Sequence, residues 1–362
     1  MAKLRLSTWL SDPAKQAISL DLTGHAIRFL RLRRRGRNAE VVRYGSFPLP
    51  AGTVQHGGVA NANALQQQIS SLVDSKLVGK PKPQAAVIAI SEHHAFLKFL
   101  ELPSGSPADF NEAVRWEVTQ HIPYELKDLN LDWVSPSVDH QAPPGALVVA
   151  APRELVESYA QTLELAKVTP LAIESSSLSV SRMFVNQLPV RASSLLLTIG
   201  ELESSVTLVQ AKVPMFTAMV RLTADELTAQ AAAQYKLSVD EAQRALFAFG
   251  LYKSRARGVI RELIRDRVNE LASRLQEVAD FYHDHFSNPA DVTSILICGP
   301  GAQIAGLADE LGSRLKLEVL AANLPTGIRV SKAANQFTTR LLEYSIALGA
   351  GLRLIDGRSG HG

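Results

Sequence analysis

The residues best suited to chemistry stand around one strand, one glycine turn and one helix. In Ser294 to Leu307, SILICGPGAQIAGL, the apolar run Ile295 to Cys298 predicts a buried strand. Gly299, Pro300 and Gly301 then force a tight turn, and Ala302 opens a stretch with Ile304, Leu307, Ala308 and Leu311 at helical spacing. Small residues at such a junction let backbone N–H groups approach a flat or anionic ligand; the plainer alternative is an ordinary β–α turn. A second candidate is Asp21, a carboxylate near the end of the alternating strand ISLDL, followed by the turn Thr23-Gly24-His25. The histidines promise less. His93 and His94 are adjacent, so on a strand they point to opposite faces. His283 and His285 are two apart on a helix and share no face. Neither pair is expected to ligate a metal.

The elements that must position these residues come from a chain with the balance of a soluble globular protein. Its 362 residues suffice for two or more domains; 46% are hydrophobic and 20% charged. A net charge of +3 does not call for nucleic acid. The single cysteine, Cys298, has no intramolecular disulfide partner and fits a reducing compartment. No apolar run approaches the roughly 20 residues of a membrane helix. The N-terminal MAKLRLSTWL lacks the apolar core of a signal peptide, so a cytoplasmic protein with a frayed tail is expected. Arginines 31, 33, 34, 35 and 37 surround Gly36. They predict a charged hairpin tip, solvated or in contact with phospholipid or an acidic partner.

In chain order, strands are expected at 18–22, 26–32 and 40–47, then an amphipathic helix over 61–77 and a buried strand at 87–90. A strand follows at 94–102, then a helix capped by Ser106, Pro107 and Asp109 and stopped at Pro123. Two strands, a helix over 152–167, a strand over 169–173 and a helix over 175–186 complete the first half. Strands at 195–199, 204–209 and 213–221 repeat the order of residues 18 to 47. Thr223/Glu226 and Ser238/Glu241 read as capping boxes opening two helices. A long helix over 258–286 precedes the glycine turn, and a last helix is expected near 337–352.

Two strand–turn–strand units followed by a strand–glycine–helix unit resemble the α/β actin-like ATPase fold of two related lobes. Residues 92 to 168 resemble the small inserted β-α-β-β-α subdomain of its FtsA-like branch. Within that branch the chain resembles the PilM family of type IV pilus assembly over nearly its whole length. The resemblance is carried by NEAVRWEVTQHIPYELKDLNLDW, residues 111 to 133, with Trp116-Glu117, Ile122-Pro123-Tyr124 and Asn130-Leu131-Asp132, and by AAPRELV at 150–156. It implies a first lobe of residues 18–91 and 169–190, an insert of 92–168, a second lobe of 191–222 and 290–353, and a helical subdomain of 223–289. Tails of 1–17 and 354–362 flank them.

The resemblance also implies ATP and Mg²⁺ as cofactors, weakly held. Asp21, Thr23, Gly24 and His25 would form the first phosphate turn, Thr198 and Gly200 the second, and Gly299, Gly301 and Ala302 the adenosine turn, with Asp21 serving the metal. Departures weaken that site. Thr23 stands where the family has Gly, and Thr198 where it has an acid. Glu201 and Glu203 replace hydroxyls, and Pro300 removes a backbone donor. A binding scaffold with little or no hydrolysis is expected. Its implied partner is the cytoplasmic N-terminal peptide of a PilN-type inner-membrane protein, held between the first lobe and the insert, with a PilO-type protein reached indirectly and contact with the membrane periphery. Trp116 and Tyr124 could anchor the peptide, though packing is their favoured role. The alternatives are an active Mg-ATPase, a polymerising relative, or the actin-like component of a type II secretion platform.

Overall fold

The computed structural model describes residues 17–36, 38–102, 107–122, 124–135 and 144–355 and, for residues 107–109 and 121, the backbone alone. The expectations for residues 1–16, Arg37, the Ser106/Asp109 cap, Pro123 and residues 356–362 lie outside the described residues.

Apolar runs place strands where both faces are covered, and the turns between them set two meanders of one design. In the first lobe β1 (Ala17–Asp21), β2 (Ala26–Arg35) and β3 (Asn38–Pro48) pair antiparallel in sequence. A short hairpin of β4 (Val54–Gln55) and β5 (Gly58–Val59) leads to α1 (Ala62–Asp74), capped by the Asn61 side chain on the Ala64 N–H at 3.0 Å. β6 (Ala85–Ile90) then lies parallel to β1. The insert follows as β7 (Phe96–Glu101), α2 (Pro107–His121), β8 (Leu129–Val134) and β9 (Gly145–Pro152). The first lobe closes with α3 (Arg153–Leu165), β10 (Thr169–Ser175) and α4 (Ser176–Phe184).

The second lobe repeats the plan with β11 (Ser193–Ile199), β12 (Ser204–Gln210) and β13 (Val213–Val220). Helices α5 (Ala224–Tyr235), α6 (Val239–Ala248) and α7 (Val259–His285) come next. The expected capping boxes at Thr223/Glu226 and Ser238/Glu241 are both formed. β14 (Val292–Cys298), α8 (Leu307–Leu315), β15 (Glu318–Leu320), β16 (Ile328–Val330) and α9 (Ser345–Arg353) complete the chain. The first sheet runs β10-β6-β1-β2-β3 and the second β15-β14-β11-β12-β13, so the two lobes share one strand order. Each sheet is extended past its third strand: β16 joins β3 in parallel, and β7-β9-β8 of the insert continues from β13 through Phe216 and Lys98.

One apolar layer joins the lobes. Val180, Met183 and Phe184 of α4 and Ile346, Ala347 and Leu348 of α9 are packed with Leu30 and Val87 of the first sheet and Leu196 and Leu296 of the second. The two helices touch so closely that a Cβ on Gly349 would lie 1.9 Å from the Ser179 carbonyl oxygen. Buried Glu174 sits beside them, accepting from Arg182 Nη2 at 2.9 Å and from Arg353 Nη1 at 3.3 Å.

Three expectations change. No helix opens directly on the glycine turn: residues 300–303 form a single 3₁₀ turn and α8 starts at Leu307, after Gly306 at φ +75°. The last helix splits into a 3₁₀ turn at 337–340 and α9, because Phe337 and Tyr344 both pack edge-on against Tyr44, with ring centroids 5.1 Å away. Finally, the resemblance places α3 in the insert, yet its Tyr159 and Leu163 share a core with Ile18, Leu65 and Ile88 of the first lobe. The insert has its own core of Leu100, Val114, Val118 and Val148.

Candidate functional site

The ends of β1 and β11 carry the first two turns to one cleft between the lobes. Asp21 is buried, and its Oδ1 accepts from the Thr23 N–H at 2.9 Å and the Thr23 hydroxyl at 2.6 Å. Hairpin register sets Arg28 directly opposite Asp21. Burial raises the Asp21 pKa, while Arg28 and Thr23 pull it down. The Arg28 guanidinium is the positive charge that this carboxylate faces within the chain. Among the described residues no group of three or more His, Cys, Asp or Glu side chains is placed to hold a metal ion.

Glu201, from the second turn, crosses the cleft into the first. Its Oε2 accepts the His25 N–H at 3.0 Å, and its Oε1 pairs with Arg28 Nη2. Glu343 adds a second carboxylate, 4.0 Å from Arg28 Nε. A Cβ on Gly24 would meet Glu201 Oε2 at 2.3 Å and Arg28 Nη1 at 2.8 Å. The space that glycine opens at residue 24 is thus filled by the chain's own carboxylate. More links cross beside it: His25 Nε2 with Asp225 of α5, the Ser91 hydroxyl with Glu203, and Ser177 with Ser205 at 3.4 Å. Burial, with Glu92 and Asp21 nearby, pushes the Glu203 pKa up to about 7 against the pull of Ser91. Glu92 is raised as well, chiefly by burial, although Ser177 N–H donates to it at 2.6 Å.

The remaining nominated residues serve the backbone. Thr198 Oγ1 lies 3.4 Å from Cys298 Sγ inside the paired strands β11 and β14. Gly200 N–H is used within its own turn, donating to Glu203 O at 3.0 Å and Ser204 Oγ at 3.2 Å. Gly299, at φ +85°, donates to Leu342 O at 3.0 Å, and Ala302 donates to Gly299 O at 3.1 Å. Added Cβ atoms would meet Ile199 O at 2.4 Å from Gly299 and Ile199 Cγ2 at 2.2 Å from Gly301. These glycines are required by the close approach of β11 to the third turn. Glu201 fills the first turn and these N–H groups are partnered within the chain, so a phosphate would have to displace those contacts to bind here.

Sequence reasoning singled out Asp21, His25, Glu201 and Glu203 and missed Arg28, Ser91, Asp225 and Glu343. Arg28 had a signal, since a hairpin turning at 23–25 sets it across from Asp21. The others converge only through tertiary packing. His93 and His94 lie in a turn rather than on a strand, with ring centroids 5.7 Å apart, and His56 lies equally close to His93. A cavity of about 330 Å³ beside the first turn is lined by Thr23, His25, His56, Ser91, His93 and Glu203. On the insert Trp116, Tyr124 and Val134 are 61%, 48% and 58% exposed, against the packing role favoured for Trp116 and Tyr124.

Twin sheets of one strand order, facing across a cleft rimmed by the turns that follow β1, β11 and β14, define an actin-like α/β protein. The chain belongs to the family of type IV pilus assembly protein PilM, which matches residues 19–355. A chain of the solved PilM–PilN type IV pilus biogenesis complex superposes with a TM-score of 0.77 at 22% identity, over 94% of this chain and 98% of that one. The ethanolamine utilization protein EutJ from Carboxydothermus hydrogenoformans gives a TM-score of 0.53 at 14% identity, over 92% and 88%. No curated protein matches the chain. Among the described residues no helix is long and apolar enough to cross a membrane.

Proposed function

We propose that this chain is an adaptor of the type IV pilus assembly platform at the inner membrane, holding the N-terminal segment of a PilN-type membrane protein and reaching a PilO-type protein through it. The observation that carries this reading is the family match over residues 19–355, joined to the likeness with a chain from a PilM–PilN complex. The insert supplies fitting chemistry. Trp116, Tyr124 and Val134 present apolar surface that the fold leaves uncovered, and aromatic side chains dominate peptide recognition energetics. The cleft supports holding rather than turnover, because its carboxylates and N–H groups are committed to one another. A nucleotide would have to displace Glu201 first, so weak ATP binding is the most this reading includes.

Titration calorimetry with a synthetic PilN-type N-terminal peptide tests the proposal. Saturable binding is expected, weakened by about 2 kcal/mol in Trp116→Ala if that ring is an anchor. Absence of heat and of competition with wild-type protein would overturn the adaptor reading. Binding unchanged by both Trp116→Ala and Tyr124→Ala would keep the adaptor and move the groove elsewhere.

A further inference from the structure

A second concave site shares no residue with the cleft. The β2–β3 hairpin and the loop after α1 enclose a cavity of about 460 Å³ lined by Arg31, Arg33, Arg34, Arg43 and Lys80, with Leu32, Val42 and Val78 among its apolar walls. No Asp or Glu among the described residues lines it. Among the described residues Arg31, Arg34, Arg43 and Lys80 pair with no carboxylate, and Arg33 shares Glu40, at 3.8 Å, with Arg35.

Arg31 separates this arrangement from a solvated turn. It is only 6% exposed, and its Nη1 donates to the carbonyls of Val78 at 3.1 Å and Pro81 at 2.8 Å. The loop is thus folded around a guanidinium that pairs with no carboxylate among the described residues. Burial and the neighbouring Arg33 and Arg43 push its pKa down, as expected where like charges crowd without relief. Gly79, at φ +74°, lets the Arg43 side chain lie across the loop, where a Cβ would meet Nε at 3.2 Å. A buried charge normally carries a partner of opposite sign, and the cavity leaves room for one.

We propose that this pocket binds the phosphate group of an anionic phospholipid headgroup. Planar guanidinium donors match phosphate oxygens, and the apolar walls suit the glycerol beneath a lipid phosphate better than they suit a bare ion. Arg33 and Arg34 line the cavity and are exposed, so they can also meet neighbouring headgroups. The proposal does not rest on peptide binding.

The test is co-sedimentation of the full chain with vesicles of phosphatidylglycerol in phosphatidylcholine, against phosphatidylcholine alone. Wild-type protein is expected to bind only the anionic vesicles, and binding should weaken about fivefold for each arginine removed in Arg34→Ala and Arg34→Ala/Arg43→Ala. Arg274→Ala, an exposed arginine on α7, controls for bulk charge, and unchanged melting temperatures control for folding. Calorimetry with soluble glycerol phosphate forms the second arm. Saturable binding there, lost in the double variant and without vesicle binding, supports the pocket and assigns it a soluble phosphate ester. Vesicle binding equal in wild type and double variant overturns the proposal. So does an equal loss in Arg274→Ala, or binding in neither arm.

Discussion

Glu201 is the residue on which the character of the cleft turns. Its carboxylate sits on a backbone N–H and a guanidinium, the two donors an anionic ligand would use at that turn. Glu201→Ala should therefore bind MgATP more tightly than wild type by about tenfold or more, because like-charge juxtaposition costs several kcal/mol. Equal affinities in a fluorescent-nucleotide titration would sink this account. Arg28→Met should behave differently, since it strands buried Asp21 and half-buried Glu201 without that counter-charge. A loss of about 3–5 kcal/mol in urea unfolding is expected. Glu203 gives a pH signature. Its folded pKa, about 7 against an ordinary 4.5, means the native state holds a proton that the unfolded chain has released between those values. Stability should fall as pH rises from about 4.5 to about 7, by up to roughly 3 kcal/mol, and Glu203→Gln should flatten that slope in melts across the range.

At the scale of elements the fold is legible in the sequence where periodicity and caps decide the outcome. The 27-residue α7 follows its stripe of Ile260, Ile264, Val268, Leu271, Leu275 and Tyr282, and the two capping boxes form as their spacing requires. Pattern misleads where packing overrides it. The residues after the glycine turn have helical spacing, yet the chain makes a 3₁₀ turn there, because Gly301 must pass over Ile199 before α8 can start. The same turn looked like a ligand cradle for a related reason: glycine demanded by a neighbouring strand looks, in sequence, like glycine demanded by a ligand. The cleft was half legible. Asp21, Gly24 and Glu201 were visible as types and spacings, but Glu343 and Asp225 come from elements over 180 residues away and arrive only by folding. The α4–α9 crossing was not legible at all, and it yields a sharp prediction. Gly349→Ala places a Cβ 1.9 Å from the Ser179 carbonyl oxygen, so the helices must separate. A loss of roughly 2–3 kcal/mol is expected in denaturant unfolding, and a neutral effect would show that the pair is not tightly packed.

At the scale of the molecule the lobes do not behave as two beads on a string. One apolar layer, the Glu174 clamp and the cross-cleft pairs tie them together, so unfolding should be a single transition when followed by fluorescence and by far-ultraviolet circular dichroism. Two separated midpoints would show independent lobes. The strand β16 adds a constraint in time. It completes the edge of the first sheet beside β3, although about 280 residues of chain are made between the two. During synthesis the edge of β3 therefore stays bare until residues 328–330 have left the ribosome, and a nascent chain stalled before residue 328 would present that edge to whatever strand it meets first.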